Sequence, residues 1–137
     1  MVYGEFIQEP TVNLCELLSK NLPKSLSNTY LTNSGTEAIE AAMKLAKRVT
    51  GRTEIIAAKN SYHGSTQGSM SIMGLEERKR GYRPLLPDIK FIEFNNENDI
   101  KKISEKTAAV VLETIQGGAG FIIPKKNYLK KLKNRCK

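Results

Sequence analysis

The sequence predicts an α/β fold, a mainly parallel β-sheet flanked by helices, and two observations indicate it. First, short runs of β-forming residues alternate with segments whose apolar residues recur at helical spacing. Second, the run at 107–113 (Thr-Ala-Ala-Val-Val-Leu-Glu) is apolar at consecutive positions, which is typical of a strand buried on both faces. Strands that alternate with helices form parallel sheets covered by those helices. Neither an internal repeat nor a linker is visible, so residues 1–137 predict one domain without a second.

Helices are predicted at four places. Pro10 suits the first turn of a helix, and apolar residues follow it at helical spacing. The strongest helix is predicted at 36–49, where alanines and larger apolar residues share one stripe and Gly51 suits its C-terminal end. Asp99 can cap a short helix through residue 104. A last helix is predicted from a single apolar stripe, whose members are Tyr128, Leu129, Leu132 and Cys136.

Strands are predicted from short runs rich in β-branched, aromatic and other apolar residues. Their positions are 28–32, 54–58, 90–94 and 107–113. Between them, the segment 60–74 is rich in Ser, Gly and Met and predicts a loop that carries a short helix. The glycine-rich segment 116–120 predicts a second loop.

Charge is distributed unevenly along the chain. There are 22 Lys+Arg and 14 Asp+Glu, which gives +8. Seven of the cations and no acid lie in 125–137, so the preceding residues carry 15 basic and 14 acidic groups, or +1. A basic α/β domain that binds nucleic acid through this terminal helix is therefore an alternative. Against it, the cations are not interleaved with aromatic residues and no nucleic-acid motif is visible.

Several other classes are disfavoured by the composition. No apolar run approaches the roughly 20 residues needed to cross a bilayer. The first six residues do not resemble a secretion signal. Cys15 and Cys136 lie far apart, so we expect free thiols in a reducing compartment, the cytoplasm. With a single histidine in the chain, a zinc site of Cys and His ligands is not expected.

The segment 33–38 (Asn-Ser-Gly-Thr-Glu-Ala) lies between a predicted strand and the strongest helix. We expect Gly35 to allow a tight turn, after which the free N–H groups of the first helical turn and the helix dipole favour a phosphate. Ser34 and Thr36 add hydroxyl donors. The alternative is a plain Ser/Thr cap without a ligand. The chain contains neither G-x-x-x-x-G-K-[ST] nor G-x-G-x-x-G after a strand, so known nucleotide loops are not indicated.

Two further groups follow predicted strands, where ligands collect in α/β sheets. Tyr62 can stack on a flat ring, and Gly64 permits close approach of the backbone. The alternatives are an ordinary packed aromatic at Tyr62 and a hydrogen-bonded structural imidazole at His63. Glu113, at the end of the most apolar strand, needs a partner or a ligand for its carboxylate. A helix N–H or a neighbouring cation is the alternative partner.

Taken together, these segments resemble the large domain of class III (subgroup II) pyridoxal-phosphate aminotransferases of the acetylornithine, ornithine and 4-aminobutyrate type. The resemblance covers about residues 10–137, and the matching segments are 33–38, 44–47, 50–52, 62–64 and 113–117. It implies a fold-type I large domain, pyridoxal 5′-phosphate as cofactor, and transfer of an amino group between an amino donor and a 2-oxo acid.

The resemblance also implies six cofactor-binding residues. These are Ser34, Gly35, Thr36, Tyr62, His63 and Glu113. The glycine and threonine would bind the phosphate through backbone N–H and hydroxyl groups, and the serine would shape the turn. The tyrosine would stack on the pyridine ring with the histidine beside it, and the glutamate would lie near the phenolic edge of the ring, through a hydrogen-bonded neighbour.

Three positions depart from the family pattern. Ser65 stands where acetylornithine and 4-aminobutyrate members commonly have Arg, Gly118 where ornithine-type members have Glu, and Thr114 where Pro is usual. The first two changes remove contacts to substrate carboxylates, so we expect another amino donor or a differently built pocket.

The resemblance further implies that residues 1–137 form only part of the large domain. The lysine that holds the cofactor covalently, the Asp that pairs with the pyridine nitrogen and the small C-terminal domain have no counterpart in this sequence. We therefore expect this polypeptide to be inactive alone and to contain no catalytic residue. Family members are dimers with the active site at the interface, so a homodimer is expected, with no nucleic-acid or membrane partner.

Overall fold

The computed structural model describes residues 6–137, and the chain divides into two compact units at residues 32 and 33. Among the described residues, no helix is long and apolar enough to cross a membrane. The expectation about a secretion signal falls mainly on residues 1–5, which lie outside the described part.

The described part of the first unit, residues 6–32, contains the helix α1 (Glu9–Asn21), with proline in its first turn as predicted. The predicted strand at 28–32 is wrong, because this segment is irregular. A β-forming sequence makes a strand only where a neighbouring strand can satisfy its backbone groups. The strands that the structure describes all lie in the second unit and pair only with one another.

The second unit alternates helices and strands. Its elements are α2 (Gly35–Thr50), β1 (Glu54–Ala58), α3 (Gln67–Ser71), α4 (Glu76–Lys79), a 3₁₀ turn (Arg80–Tyr82), β2 (Ile89–Ile92), a 3₁₀ helix (Glu97–Lys102), β3 (Thr107–Val111) and α5 (Tyr128–Arg135). Helix α2 ends at Gly51 in the left-handed conformation, φ +67°, as its sequence predicts. The prediction for Asp99 is wrong: Asn96 caps a 3₁₀ helix, and Asp99 instead accepts a hydrogen bond from the Glu93 N–H (2.7 Å).

The sheet has the order β2-β1-β3, and both pairings are parallel. All five residues of the central strand β1 are buried. The predicted α/β class, a parallel sheet flanked by helices, is therefore confirmed. The last strand is shorter than predicted, since β3 ends at Val111 and leaves Glu113 in the loop that follows.

Two apolar clusters cover the two faces of the sheet. On one face, Ile55 and Ala57 pack with Met43 of α2 and with Ile72. On the other, Ile56 packs with residues of the 3₁₀ helix and α5. The predicted stripe of α5 holds at Tyr128, Leu129 and Leu132 but not at Cys136, which lies beyond the helix and is exposed. This arrangement places the α2 N-terminus at the carboxyl edge of the sheet, because α2 runs antiparallel to the strand that follows it.

Candidate functional site

Helix α2 begins with reciprocal capping bonds. The Ser34 side chain accepts a hydrogen bond from the Glu37 N–H (3.3 Å), and the Glu37 carboxylate accepts one from the Asn33 N–H (2.7 Å). The intrahelical ladder leaves the N–H groups of Gly35 and Thr36 without partners of their own, as at every helix start. Exposed N–H groups and the positive end of the helix dipole therefore meet at this point of the surface.

Gly35 is the first residue of α2, and its φ is not positive. The chain bends at the two residues before it, Asn33 and Ser34. A Cβ added at Gly35 would meet no atom within 4 Å. The fold of the described residues therefore does not require glycine here, and the space beside the backbone is open.

A cluster of hydroxyl groups joins α2 to the loop that follows β1. Thr36 Oγ1 lies 2.8 Å from Thr66 Oγ1 and 2.6 Å from Ser69 Oγ. The Thr66 N–H donates to Ser69 Oγ (3.1 Å), which closes the start of the short helix α3. Glu40, one turn after Thr36 on α2, accepts hydrogen bonds from the Gly68 N–H (2.8 Å) and the Ser69 N–H (3.0 Å).

The loop after β1 needs glycine at two positions. Gly64 has φ +129°, and a Cβ there would lie 2.3 Å from Thr36 Oγ1 and 2.7 Å from Ser69 Oγ. A Cβ at Gly68 would lie 2.1 Å from Glu40 Oε2. Both glycines therefore allow the chain to approach α2 closely. At Gly64, where the sequence predicts a close approach of the backbone, the atoms approached are those of the Thr36 and Ser69 side chains.

Tyr62 and His63 occupy the same loop in different environments. The Tyr62 side chain is 40% exposed, its hydroxyl lies 3.0 Å from Ser65 Oγ, and the Arg78 guanidinium stands over its ring, 5.7 Å from the centroid. His63 is 8% exposed, and its Nε2 has no hydrogen-bond partner in the described part of the chain. Burial lowers the pKa of His63, and the Glu113 carboxylate opposes this shift.

Glu113 links two loops at the carboxyl edge of the sheet. Its Oε2 accepts from the Tyr62 N–H and its Oε1 from the Gly117 N–H, each at 3.2 Å. The partners are thus loop amides, neither the helix N–H nor the cation that the sequence suggested. Gln116, which is 1% exposed, joins the same loops by donating to the Lys59 carbonyl (2.8 Å).

The predicted residues therefore meet through two contacts. Thr36 reaches the loop after β1 through its hydroxyl, and Tyr62 reaches Glu113 through its N–H. The sequence reasoning missed several residues that build these contacts. They are Glu40, Thr66, Ser69 and Gln116. The spacing of three between Thr66 and Ser69 is a capping pattern that could have drawn attention to them.

The described residues form an α/β domain whose polar loops meet at the carboxyl edge of a parallel sheet, and comparisons with known proteins identify its family. The family model for class-III aminotransferases matches residues 1–137. A [LysW]-aminoadipate semialdehyde/glutamate semialdehyde transaminase of Sulfolobus acidocaldarius is 43% identical over 122 residues, 89% of this chain and 32% of that protein. An acetylornithine aminotransferase of Clostridium acetobutylicum is 43% identical over 142 residues, covering 98% of this chain and 36% of that protein.

Solved structures of aminotransferases also superpose on this chain. The adenosylmethionine-8-amino-7-oxononanoate aminotransferase of Methanocaldococcus jannaschii superposes with a TM-score of 0.89 at 30% identity, over 99% of this chain and 34% of that one. The ornithine aminotransferase of Toxoplasma gondii, whose structure holds pyridoxal phosphate at partial occupancy, gives a TM-score of 0.86 at 25% identity, over 96% of this chain and 33% of that one.

The chain belongs to the class III aminotransferase family. It spans about a third of the length of the curated relatives that it matches. The family resemblance stated from the sequence is thereby confirmed, whereas the alternative of a nucleic-acid-binding domain receives no support from these relatives.

Proposed function

We propose that this chain supplies the phosphate-binding and ring-stacking part of a pyridoxal 5′-phosphate site in a transaminase. The transaminase would transfer an amino group between an amino donor and a 2-oxo acid. Residues 1–137 would form part of its large domain. When bound, the cofactor supplies the electron sink that amino-group transfer requires.

One observation carries the proposal, the open space at Gly35 beside the first-turn N–H groups of α2. Gly35 is the first residue of α2, and neither a positive φ nor a neighbouring atom of the described residues requires glycine there. An anion bound against the backbone would require it, since a Cβ would occupy the approach. Gly35 and Thr36 would hold the cofactor phosphate through their N–H groups, and Thr36 through its hydroxyl as well.

The other predicted residues fit the remainder of the cofactor. Arg78 covers one face of the Tyr62 ring, so a flat ligand would use the other face. His63 Nε2 is a buried polar atom without a partner among the described residues, and such atoms are normally satisfied. We propose that His63 meets the bound cofactor. Glu113 would hold the Tyr62 and Gly117 amides in place near the ring, and Ser34 would fix the first turn of α2.

The finer features of the proposal concern substrate, assembly and location. Ser65 and Gly118 lack the charged side chains that read substrate carboxylates in several family members, so we propose a differently built substrate pocket. We propose a homodimer, following the family, and a cytoplasmic location, which suits the free thiols of Cys15 and Cys136. Neither nucleic acid nor a membrane is a proposed partner.

Gly35→Ala tests the proposal, because it fills the open space without disturbing the fold. The affinities of the 137-residue chain for pyridoxal 5′-phosphate and for pyridoxal are measured by quenching of tyrosine fluorescence. We expect the parent chain to prefer the phosphorylated compound at least tenfold and Gly35→Ala to lose that preference. Gly81→Ala is the matched control, since a Cβ there also meets nothing within 4 Å. Equal affinities of the parent chain for the two compounds would refute the proposal.

A further inference from the structure

We infer that Glu40 is a positioning residue for the proposed phosphate site, acting on Thr36 through Thr66 and Ser69. The inference rests on the proposed function. It assigns to Glu40 the task of keeping the Thr36 hydroxyl available as a donor at the start of α2.

The carboxylate of Glu40 is firmly placed. One oxygen, Oε1, accepts from Thr66 Oγ1, from the Gly68 N–H (2.8 Å) and from the Ser69 N–H (3.0 Å). The other oxygen lies where a Cβ of Gly68 would be. Three donors on one oxygen and a glycine that leaves room for the other fix the carboxylate against the loop after β1.

This placement determines where the hydroxyl protons go. A carboxylate oxygen only accepts, so the contact between Thr66 and Glu40 uses the Thr66 proton. Thr66 Oγ1 can then only accept from the hydroxyls of Thr36 (2.8 Å) and Ser69 (3.0 Å). Because Thr66 gives its one hydroxyl proton to Glu40, it does not donate to Thr36.

Ser69 completes the arrangement. Its Oγ accepts from the Thr66 N–H (3.1 Å) and has one proton for three possible acceptors, Thr36 Oγ1 (2.6 Å), Thr66 Oγ1 (3.0 Å) and the Thr66 carbonyl (3.2 Å). Thr36 Oγ1 also accepts from the Thr66 N–H (3.4 Å). With the Ser69 proton on Thr36, the Thr36 oxygen is held by incoming hydrogen bonds, and its own proton can turn from Thr66 to a bound phosphate. Without Glu40, the Thr66 proton can point at Thr36 and compete with that arrangement.

The test compares variants by the ratio of their affinities for pyridoxal and pyridoxal 5′-phosphate. We expect Glu40→Ala to reduce the preference for the phosphorylated compound at least fivefold. Glu40→Gln keeps an acceptor oxygen at the same place and should stay within threefold of the parent chain. Glu105→Ala is the control for lost charge, because Glu105 is almost fully exposed and pairs only with Arg52 among the described residues. An unchanged preference in Glu40→Ala would overturn the inference.

Two further measurements distinguish a failure of this inference from a variant that does not fold and from a failure of the proposed function. If Glu40→Ala fails to fold, Thr66→Val removes the hydroxyl at nearly constant size and should reduce the same preference. Unchanged preference in a folded Thr66→Val chain overturns the inference. If the parent chain shows no preference for the phosphorylated compound, the proposed function fails. The positioning role of Glu40 is then tested by the NMR coupling constant between Hα and Hβ of Thr36, which depends on the rotamer of that side chain. A coupling altered by Glu40→Ala or Thr66→Val and restored by Glu40→Gln supports that role, and an unaltered coupling contradicts it.

Discussion

The starts of helices α2 and α5 differ in both charge and construction. At α2, a capped first turn meets the hydroxyl groups of Thr66 and Ser69 in the segment after β1. Helix α5 starts after Asn127, which has φ +68° and makes no capping side-chain bond, and it lies in the most basic segment of the chain. Two of its cations contact the protein itself: Lys131 pairs with Glu97 (2.6 Å), and Arg135 donates to the Ile103 carbonyl.

This difference shows how little net charge says about a binding site. Summed charge governs solubility and the attraction of ions over long distances. A site for a phosphate group requires oriented donors and room beside the backbone. In the proposed site, Gly35 and Thr36 would provide both in a segment whose charge is ordinary, whereas the segment 125–137 is distinguished by its charge.

The largest expected loss of stability comes from placing a side chain in the narrow space between α2 and the loop after β1. Gly64→Ala would force a side chain into a positive-φ conformation and against Thr36 Oγ1. We expect a loss of about 3 kcal/mol in the free energy of unfolding. Urea denaturation measures it, with Gly81→Ala expected within about 0.5 kcal/mol of the parent chain. A Gly64→Ala chain as stable as that control would show that the gap is not as tight as the contacts indicate.

A smaller effect is expected from breaking the link between the loops after β1 and β3. Gln116→Ala removes a buried amide and leaves the Lys59 carbonyl without this donor, which should cost about 2 kcal/mol of stability. Gln67→Ala is a matched control, since the Gln67 amide also donates to a carbonyl at 2.8 Å, that of Pro84, but is exposed. Equal losses in the two variants would contradict the assigned role of Gln116.

His63 should make stability depend on pH below about 6.5. Burial lowers its pKa in the folded state, so the unfolded chain takes up the proton first. Stability is therefore complete above the ordinary pKa of 6.5 and falls as the pH decreases below it, by at most about 1.4 kcal/mol per pH unit. Denaturation at several pH values measures the slope, and His63→Asn should abolish it. The single imidazole can be titrated directly by NMR, and a pKa at or above 6.5 would contradict this account.

The smallest effect is expected from the basic segment. Replacing Lys125, Lys130 and Lys133 by Gln removes three exposed cations and should change stability by less than about 0.5 kcal/mol. The affinity for pyridoxal 5′-phosphate should stay within twofold of the parent value. A tenfold loss of this affinity would indicate that the phosphate binds at α5 and not at α2, which would contradict the comparison of the two helix starts.

Two elements that follow from local sequence were predicted correctly. Helix α2 and strand β1 were found because helical periodicity and a continuous apolar run report burial directly. The strand predicted at 28–32 failed, since strand formation depends on a partner that propensity does not specify. At Gly35 the φ is not positive, so its place at the start of α2 does not depend on the left-handed conformation that glycine favours.

The contacts among the candidate site residues could not be predicted from the sequence. Thr36 and Thr66 are 30 positions apart and meet only because α2 packs beside the loop after β1. The partners of Glu113 depend on where β3 ends relative to β1, which the sequence does not determine. Glu40 gave no local signal, because a glutamate on the surface of a helix is common and its role appears only when the loop is in place.

The most direct test of the central claim is a titration of the 137-residue chain with inorganic phosphate, followed by ¹H–¹⁵N NMR. The account predicts that the amide signals of Gly35 and Thr36 shift first and saturate, while the signals of α5 change little. Gly35→Ala should remove the saturable shifts. Saturable shifts confined to residues 125–137, with Gly35 and Thr36 unmoved, would contradict the account.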